Sequence, residues 1–211
     1  PVDRDGMLNL AELEAAITDR TILISIMWAN NETGNIFPIE EIGAIARKYK
    51  VRFHTDAVQA VGKIPVDVQQ AQIDLLVLSG HKIGAPKGVG AVYIRRGTRL
   101  TPFLHGGHQE RNRRAGTHNV AGIVSLGLAC ELAGSHLEEE AARIRRLRDK
   151  LEQGILTRVP DVKLNGHPDS NRRLPNTLNI SFAYIEGESL LLLFDMKGIA
   201  ASSGSACTSG S

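Results

Sequence analysis

Long apolar runs, paired cysteines and a strong charge of one sign are all missing from this sequence. The longest apolar run, Ile22 to Ala29, is interrupted by Ser25 and is far shorter than the roughly 18 residues that a membrane-spanning helix needs. We therefore expect a soluble protein with no membrane partner. The two cysteines, Cys130 and Cys207, lie far apart without a C-x-x-C motif, which argues against a disulfide framework or a thiol zinc site and favours a reducing cytoplasm.

The charges of the chain nearly balance, with 25 Lys and Arg against 23 Asp and Glu. Such a small and dispersed excess argues against a nucleic-acid-binding protein. One dense basic group falls in a Glu-rich helical pattern, where we expect a solvated face: Arg143, Arg145, Arg146 and Arg148.

Short β-rich runs alternate with helical patterns in the first half of the chain, which indicates βαβ units and a mainly parallel sheet. The candidate strands are Ile22 to Met27, Val51 to His54, Asp74 to Leu78 and Gly90 to Ile94. A capping box of Asn9 and Glu12 predicts a helix that ends near Ile17. Pro38 suits the first position of a second helix, which continues through Tyr49.

A nearly continuous helical pattern runs from Asn119 to about Val159, with an interruption near Gly134 and an end at Pro160. We predict a domain boundary within this pattern, which gives a large domain of residues 1–136 and a small domain of residues 137–211. Because the sequence opens at Pro1 without methionine and stops inside a Gly/Ser run, we also expect a fragment that lacks both ends.

Polar side chains follow several predicted strands at the point where each strand ends. The three segments are Trp28 to Gly34 (W-A-N-N-E-T-G), His54 to Gln59 (H-T-D-A-V-Q) and Ser79 to Lys82 (S-G-H-K). Functional residues of open α/β sheets collect at the carboxyl ends of the strands. Amide, carboxylate, hydroxyl, imidazole and amine groups would therefore converge on one edge, a combination that suits an aromatic cofactor.

Lys82 and Asp56 have the chemistry that such a cofactor requires. A lysine that forms a Schiff base needs a lowered pKa and a fixed position, which a Gly-flanked turn at a strand end can provide. A carboxylate keeps a pyridine nitrogen protonated and so makes the ring an electron sink, a role that Asp56 can fill.

The sequence strings resemble the cysteine desulfurases, and most closely the NifS-type enzymes that serve nitrogenase cluster assembly. The matching strings include M-W-A-N-N-E-T-G, F-H-T-D-A-V-Q-A-V-G-K, L-S-G-H-K, A-P-K-G-V-G, G-G-H-Q-E-R, A-G-T, R-L-P-N-T and S-S-G-S-A-C-T-S-G-S, in an order that covers essentially the whole chain. The resemblance implies the α/β fold of fold-type-I pyridoxal-phosphate transferases, with part of a smaller α+β C-terminal domain. It also implies removal of sulfur from L-cysteine, which yields L-alanine and an enzyme-bound persulfide for iron–sulfur cluster assembly.

The resemblance assigns roles to individual residues on the ring side of the pyridoxal phosphate. Lys82 holds the cofactor covalently, Asp56 pairs with the pyridine nitrogen, and Gln59 and Asn31 contact the ring oxygen and the substrate side. Cys207, in a Gly/Ser loop, corresponds to the cysteine that becomes the persulfide and delivers sulfur to an acceptor protein.

Further residues are implied on the phosphate side. Ser79 and His81 bind the phosphate together with the intervening Gly80, and His81 joins Lys82 and Cys207 among the predicted catalytic residues. Thr117 is expected to reach the phosphate bound to the other subunit, which implies a homodimer.

Each of these residues also has a simpler interpretation. Lys82 alone would be a solvated charge, Asp56 and Ser79 suit helix caps, and Gln59 and Asn31 can satisfy loop backbone groups. Two residues outside the implied site are expected to be ordinary: Cys130 as a buried small hydrophobe and Lys87 as a surface or structural lysine. Gly84, two residues after Lys82, is a departure from the family pattern that is expected to tune activity and not to abolish it.

Other function classes remain as alternatives at this stage. The group His105, His108 and His118 has no recognised zinc spacing, so no metal site is expected apart from a possible iron–sulfur contact through Cys207. His118 is also a departure from the family pattern. The competing functions are a selenocysteine lyase or another fold-type-I enzyme, and a non-catalytic sulfur carrier that would have no use for Lys82 with Asp56.

Overall fold

A four-stranded sheet organises the first part of the chain in the computed structural model, which describes residues 1–201. Its strands follow one another in space as in sequence: β1 (Leu23–Ser25), β2 (Arg52–Asp56), β3 (Leu75–Ser79) and β4 (Gly90–Ile94). The pairs β1–β2 and β2–β3 are parallel, whereas β3–β4 is antiparallel. The predicted α/β fold with a mainly parallel sheet is confirmed, and each strand lies within two residues of its predicted limits.

The two faces of this sheet differ in polarity. Ile24, Phe53, Thr55 and Leu76 are buried on one face, and Phe53 has no exposed surface. Neighbours in the parallel register carry their side chains on the same side, and alternate residues of a strand share a face. The opposite face therefore carries the polar side chains of the strand ends: Ser25, His54, Asp56 and Ser79.

Five α-helices accompany the strands among the described residues. They are α1 (Leu10–Ala15), α2 (Ile39–Lys48), α3 (Val120–Ser135), α4 (Leu137–Arg158) and α5 (Gly187–Met196). Two further antiparallel pairs are β5 (His108–Gln109) with β6 (Arg114–Ala115) and β7 (Val162–Leu164) with β8 (Ile180–Phe182). Short 3₁₀ helices cover Gly80–Lys82 and Ser170–Arg172.

Pro38 occupies the N-cap of α2, so the helix begins one residue later than predicted, and Ile42 is fully buried on the inner face of the helix. The sequence predicts a helix through Tyr49, but the helix ends at Lys48. Tyr49 follows this last helical residue and is 42% exposed. The ammonium of Lys48 lies 5.2 Å from the centre of the Tyr49 ring.

Cys130 is exposed, so the prediction of a buried small hydrophobe was wrong. It lies on α3, where Leu126 and Ala129 are buried while Leu128 and Leu132 are more than half exposed. Because α3 is apolar around its whole circumference, the sequence pattern does not distinguish the inner side of the helix from the outer side.

The chain forms two compact packing units. The first, called the sheet unit here, comprises residues 10–28 and 38–140; the second, called the C-terminal unit, comprises residues 1–9, 29–37 and 141–201. These units are defined by packing and interleave along the sequence. The domain boundary after residue 136 therefore stays a prediction.

Buried arginines are a feature of the C-terminal unit. Arg173 has no exposed surface and donates from Nη2 to Oε2 of Glu152 at 2.7 Å. Arg148 is only 5% exposed, and its guanidinium donates to the backbone carbonyls of Ser170 and Leu174. The prediction that Arg148 belongs to a solvated face was wrong, because these carbonyls supply the acceptors that a buried guanidinium needs.

No single helix of the described residues is long and apolar enough to cross a membrane. The pair α3 and α4 meets the length and composition criteria only when the two are taken together across a bend of 71°.

Gly43 is expected to tolerate no side chain, although it lies in the middle of α2. A methyl group at this position would lie 2.0 Å from the backbone oxygen of Ala71. We expect Gly43→Ala to lower the midpoint of urea unfolding, because a clash of the order of 1–3 kcal/mol exceeds the helix-propensity gain of about 1 kcal/mol.

Gly154→Ala is the matched control for this substitution. Gly154 lies within α4, and a methyl group there would meet no atom within 4 Å. The control should raise the midpoint through helix propensity alone. Equal gains in both variants would contradict the proposed close approach of α2 to Ala71.

Candidate active site

Asp56 is held at the carboxyl end of the central strand by backbone bonds from both sides. Its carbonyl oxygen accepts a hydrogen bond from the amide of Trp28 at 2.8 Å, and the next amide, of Ala57, donates to Val77 at 3.0 Å. The carboxylate is exposed, and Oδ1 accepts from the amide of Val58 at 2.9 Å. One oxygen thus orients the carboxylate, while Oδ2 makes no hydrogen bond within residues 1–201.

The neighbouring strand ends in the turn that carries Ser79, His81 and Lys82. Oγ of Ser79 lies 2.8 Å from Nδ1 of His81. The hydroxyl of Ser79 therefore contacts the imidazole and does not cap the 3₁₀ helix that follows it. Because Asp56 pairs with Val77, Ser79 lies two residues beyond that pairing, so both polar groups occupy the same edge of the sheet.

Gly80 anchors this turn from within. Its amide donates to the carbonyl of Val89 at 2.9 Å, and its own carbonyl accepts from the amides of Ile83 and Ala85, each at 3.0 Å. A Cβ atom on Gly80 would lie 3.0 Å from both Ala85 and Val89, so only glycine fits without displacement of the turn.

Apolar packing holds the other end of the turn. Ile83 packs with Leu78 and Val89 against a small buried cluster of Ala85, Leu126 and Ala129, which ties the turn to α3. His81 and Lys82 lie between these two anchors and are exposed. The sequence thus fixes the backbone at Gly80 and Ile83 and presents the imidazole and the amine to the solvent side.

A cavity of about 480 Å³ opens beside this turn. Its volume is in the range of small-molecule sites. The residues that line it come from the turn and from the segment leading into β4: Ser79, His81, Lys87, Gly88, Val89 and Gly90. Two predicted phosphate-binding residues therefore line a single cavity. Lys87, which was predicted to be a surface or structural lysine, lines the cavity too.

Lys63 is a second amine near Lys82. Its Nζ is buried and has no hydrogen-bond partner in the part of the chain that the structure describes. Burial lowers the pKa of the Lys63 ammonium, and the charge of Lys82 lowers this pKa further. Lys63 has no local signal in the sequence, since a lysine seven residues after a strand carries no sign of burial.

The remaining predicted residues lie in different surroundings. Gln59 is half-buried on the turn after β2, and Thr117 is exposed shortly after β6. Asn31 belongs to the C-terminal unit, where its side-chain amide donates to Oε1 of Glu32 at 2.6 Å. The cofactor contacts of these three residues stay predictions.

Cys207 lies outside the described residues. Within residues 1–201, no cluster of three or more His, Cys, Asp or Glu side chains has the geometry to hold a metal ion. His105, His108 and His118 are all exposed.

The sequence and the fold both match known proteins. The family model for class-V aminotransferases matches residues 1–211. A cysteine desulfurase NifS of Azotobacter vinelandii is 57% identical over 211 residues, which are 100% of this chain and 52% of that protein. A cysteine desulfurase IscS of Methanosarcina thermophila is 58% identical over the same span, again 52% of its length. A solved structure of a NifS-like protein superposes with a TM-score of 0.90 at 41% identity, covering 96% of this chain and 55% of that one.

This chain belongs to the class-V aminotransferase family and has the fold-type-I architecture of its structural neighbours. It spans about half the length of the curated relatives that it matches. Pyridoxal phosphate is the cofactor of this family.

The groups at the sheet edge fit that cofactor. The hydroxyl of Ser79 and the imidazole of His81 line a cavity to which no described residue contributes a carboxylate, which suits an anionic phosphate. The carboxylate of Asp56 is on the same edge, where it can face a protonated pyridine nitrogen. Lys82 is exposed and makes no hydrogen bond with a described residue, so its amine is accessible to an aldehyde.

Replacement of Ser79 tests the phosphate side of this site. We expect Ser79→Ala to raise the dissociation constant for pyridoxal phosphate by about tenfold, because the loss of one hydrogen bond to a charged group costs about 1.5 kcal/mol or more. Titration of the cofactor-free protein, followed by cofactor absorbance, measures this constant.

Ser25→Ala is the matched control, because Ser25 makes a contact of the same length, 2.8 Å, to Nδ1 of His54 on the same sheet. Its affinity for the cofactor should stay near that of the unmodified protein. If both variants lost affinity by the same factor, the loss of a Ser–His contact would explain the effect. Ser79 would then not be a phosphate contact.

Proposed function

We propose that the full-length protein is a pyridoxal-phosphate-dependent cysteine desulfurase. Its substrate is L-cysteine, and its products are L-alanine and a persulfide on Cys207. The sulfur is passed to an acceptor protein for iron–sulfur cluster assembly, in a pathway that serves either nitrogenase or iron–sulfur proteins in general.

The observation that carries this proposal is the convergence of four groups on one edge of the sheet. Asp56 ends β2, while Ser79, His81 and Lys82 end β3 and form the turn beyond it. A non-catalytic sulfur carrier needs only a cysteine. The paired strand ends, the cavity and the exposed amine of Lys82 favour the enzyme over such a carrier.

Bound pyridoxal phosphate supplies an aromatic ring that accepts electrons from the substrate. The carboxylate of Asp56, oriented by the amide of Val58, holds a proton at the ring nitrogen. Ser79 and His81 bind the phosphate and thereby fix the ring relative to the sheet edge. Lys82 would hold the cofactor through its amine and, with that amine free, would move a proton at the substrate α carbon.

Cys207 accepts the sulfur in the last step on the enzyme. Its thiolate attacks the sulfur of the substrate, so that a sulfur–sulfur bond forms while the bond between sulfur and the β carbon breaks. The electron pair of the broken bond stays on carbon, which takes up a proton and becomes the methyl group of alanine. Substrate carbon is reduced and the cysteine sulfur pair is oxidised, so no external oxidant is needed.

We further propose that the protein works as a homodimer in a reducing cytoplasm. Thr117 would then contact the phosphate that is bound by the partner subunit. A reducing compartment suits Cys207, because oxidation to a disulfide would block its role as a sulfur acceptor. The relatives named NifS and IscS are nearly equally similar to this chain, so identity alone gives no preference between a nitrogenase pathway and a general one.

Lys82 should be the attachment point of the cofactor. Borohydride reduction of the full-length protein is expected to fix the cofactor on the peptide that contains Lys82, as detected by mass spectrometry. Lys82→Ala should abolish the adduct and the release of alanine. Lys150→Ala, which removes an exposed lysine from α4, should leave both unchanged. An adduct on another lysine in the unmodified protein would overturn the assignment.

Cys207 should be the site of persulfide formation. After incubation with L-cysteine, alkylation and peptide mapping are expected to find an additional sulfur on Cys207, and Cys207→Ser should stop alanine release. Cys130→Ser provides the control, because Cys130 is an exposed thiol that labelling reagents can also reach. Alanine release that depends on Cys130 would contradict the proposal, and equal turnover of selenocysteine by the Cys207→Ser variant would favour a selenocysteine lyase.

A further inference from the structure

The polar side chains that line the cavity beside the turn are hydrogen-bond donors or cations. Its lining contributes one hydroxyl, one imidazole, one amine and the backbone of Gly88, Val89 and Gly90. None of the described residues adds a carboxylate to this lining. Such a surface favours an anion, and Lys87 supplies its amine side chain.

The position of Lys87 is determined by backbone pairing. Gly90 is the partner of Ser79 in the antiparallel register of β3 and β4. The carbonyl of Val89 accepts the hydrogen bond from Gly80 at 2.9 Å. Lys87 therefore lies three residues before β4, in a segment that Val89 and Gly90 hold against the turn and the end of β3.

The charge of Lys87 is uncompensated among the described residues. Its side chain is exposed and makes neither a hydrogen bond nor an ion pair there. Lys48, by contrast, is paired with Glu14, and the amine of Lys63 is buried away from solvent. Among these three lysines, only Lys87 combines an available ammonium group with a place in the cavity wall.

We propose that Lys87 is a third anion-binding side chain of this cavity and that it contacts the same phosphate group as Ser79 and His81. The inference rests on the proposed function, since the phosphate is that of pyridoxal phosphate. A lysine ammonium suits this role because it acts as a point charge that adapts to the phosphate oxygens without the planar geometry of arginine.

Two aldehydes that differ only in the phosphate separate this role from a structural one. Dissociation constants for pyridoxal phosphate and for pyridoxal are measured by absorbance on the full-length, cofactor-free protein. Lys87→Met keeps the length and the apolar stem of the side chain but removes its charge. We expect its affinity for pyridoxal phosphate to fall about tenfold, as for loss of one charge-assisted hydrogen bond, while its affinity for pyridoxal stays unchanged.

Two further variants complete the design. Lys87→Arg should restore most of the preference for the phosphorylated compound, because it restores the charge. Lys150→Met removes an exposed lysine from α4 and should behave like the unmodified protein. Raised salt should reduce the preference less in Lys87→Met than in the unmodified protein, because screening acts on the charge that the variant lacks.

The outcomes distinguish this inference from the proposed function. If Lys87→Met bound both aldehydes normally, or lost affinity for both by the same factor, Lys87 would not be a phosphate contact. If the unmodified protein formed no Lys82 adduct with either compound, the proposed function itself would fail, and the role of Lys87 would fail with it. A tenfold loss confined to the phosphorylated compound supports both.

Discussion

The backbone hydrogen bonds of Gly80 are the constraint on which the candidate site depends. Its amide binds Val89, and its carbonyl binds the amides of Ile83 and Ala85, so one residue joins the end of β3, the 3₁₀ turn and the start of β4. A side chain at this position would press on Ala85 and Val89 at 3.0 Å. The turn therefore requires glycine at this position, because only backbone groups fit there. The hydrogen bonds of Gly80 fix the positions of Ser79 and His81 on either side of it.

Some residues of this turn pack against the core, and others are exposed and available for catalysis. Ile83 is drawn into the apolar cluster of Ala85, Leu126 and Ala129, while His81 and Lys82 remain exposed. The imidazole and the amine need not contribute to packing, which leaves them available to a ligand. Asp56 on the neighbouring strand is held in a similar way. Backbone hydrogen bonds fix the residue, and its Oδ2 makes no hydrogen bond with a described residue.

Local patterns in the sequence were sufficient for the strands and for the polar groups that follow them, because period-two burial and strand-end chemistry are properties of short segments. They also located α2 and the break between α3 and α4. Properties that depend on partners distant in sequence were not accessible in this way. Arg148 is buried because carbonyls near residue 170 accept its hydrogen bonds, and α3 exposes Cys130 because its apolar surface has no polar side to mark the exterior.

Lys87 illustrates the same limit within the site itself. In sequence it is five residues from Lys82, in a Gly-rich segment that matches no nucleotide-binding motif, so nothing local gives it a function. Its place beside Ser79 follows from the antiparallel pairing of Gly90, a register that the sequence does not specify. The antiparallel β4 thus does more than extend the sheet: it returns the chain to the strand edge and brings a positive charge to the cavity wall. A parallel continuation would have required a long crossover and would have placed those residues elsewhere.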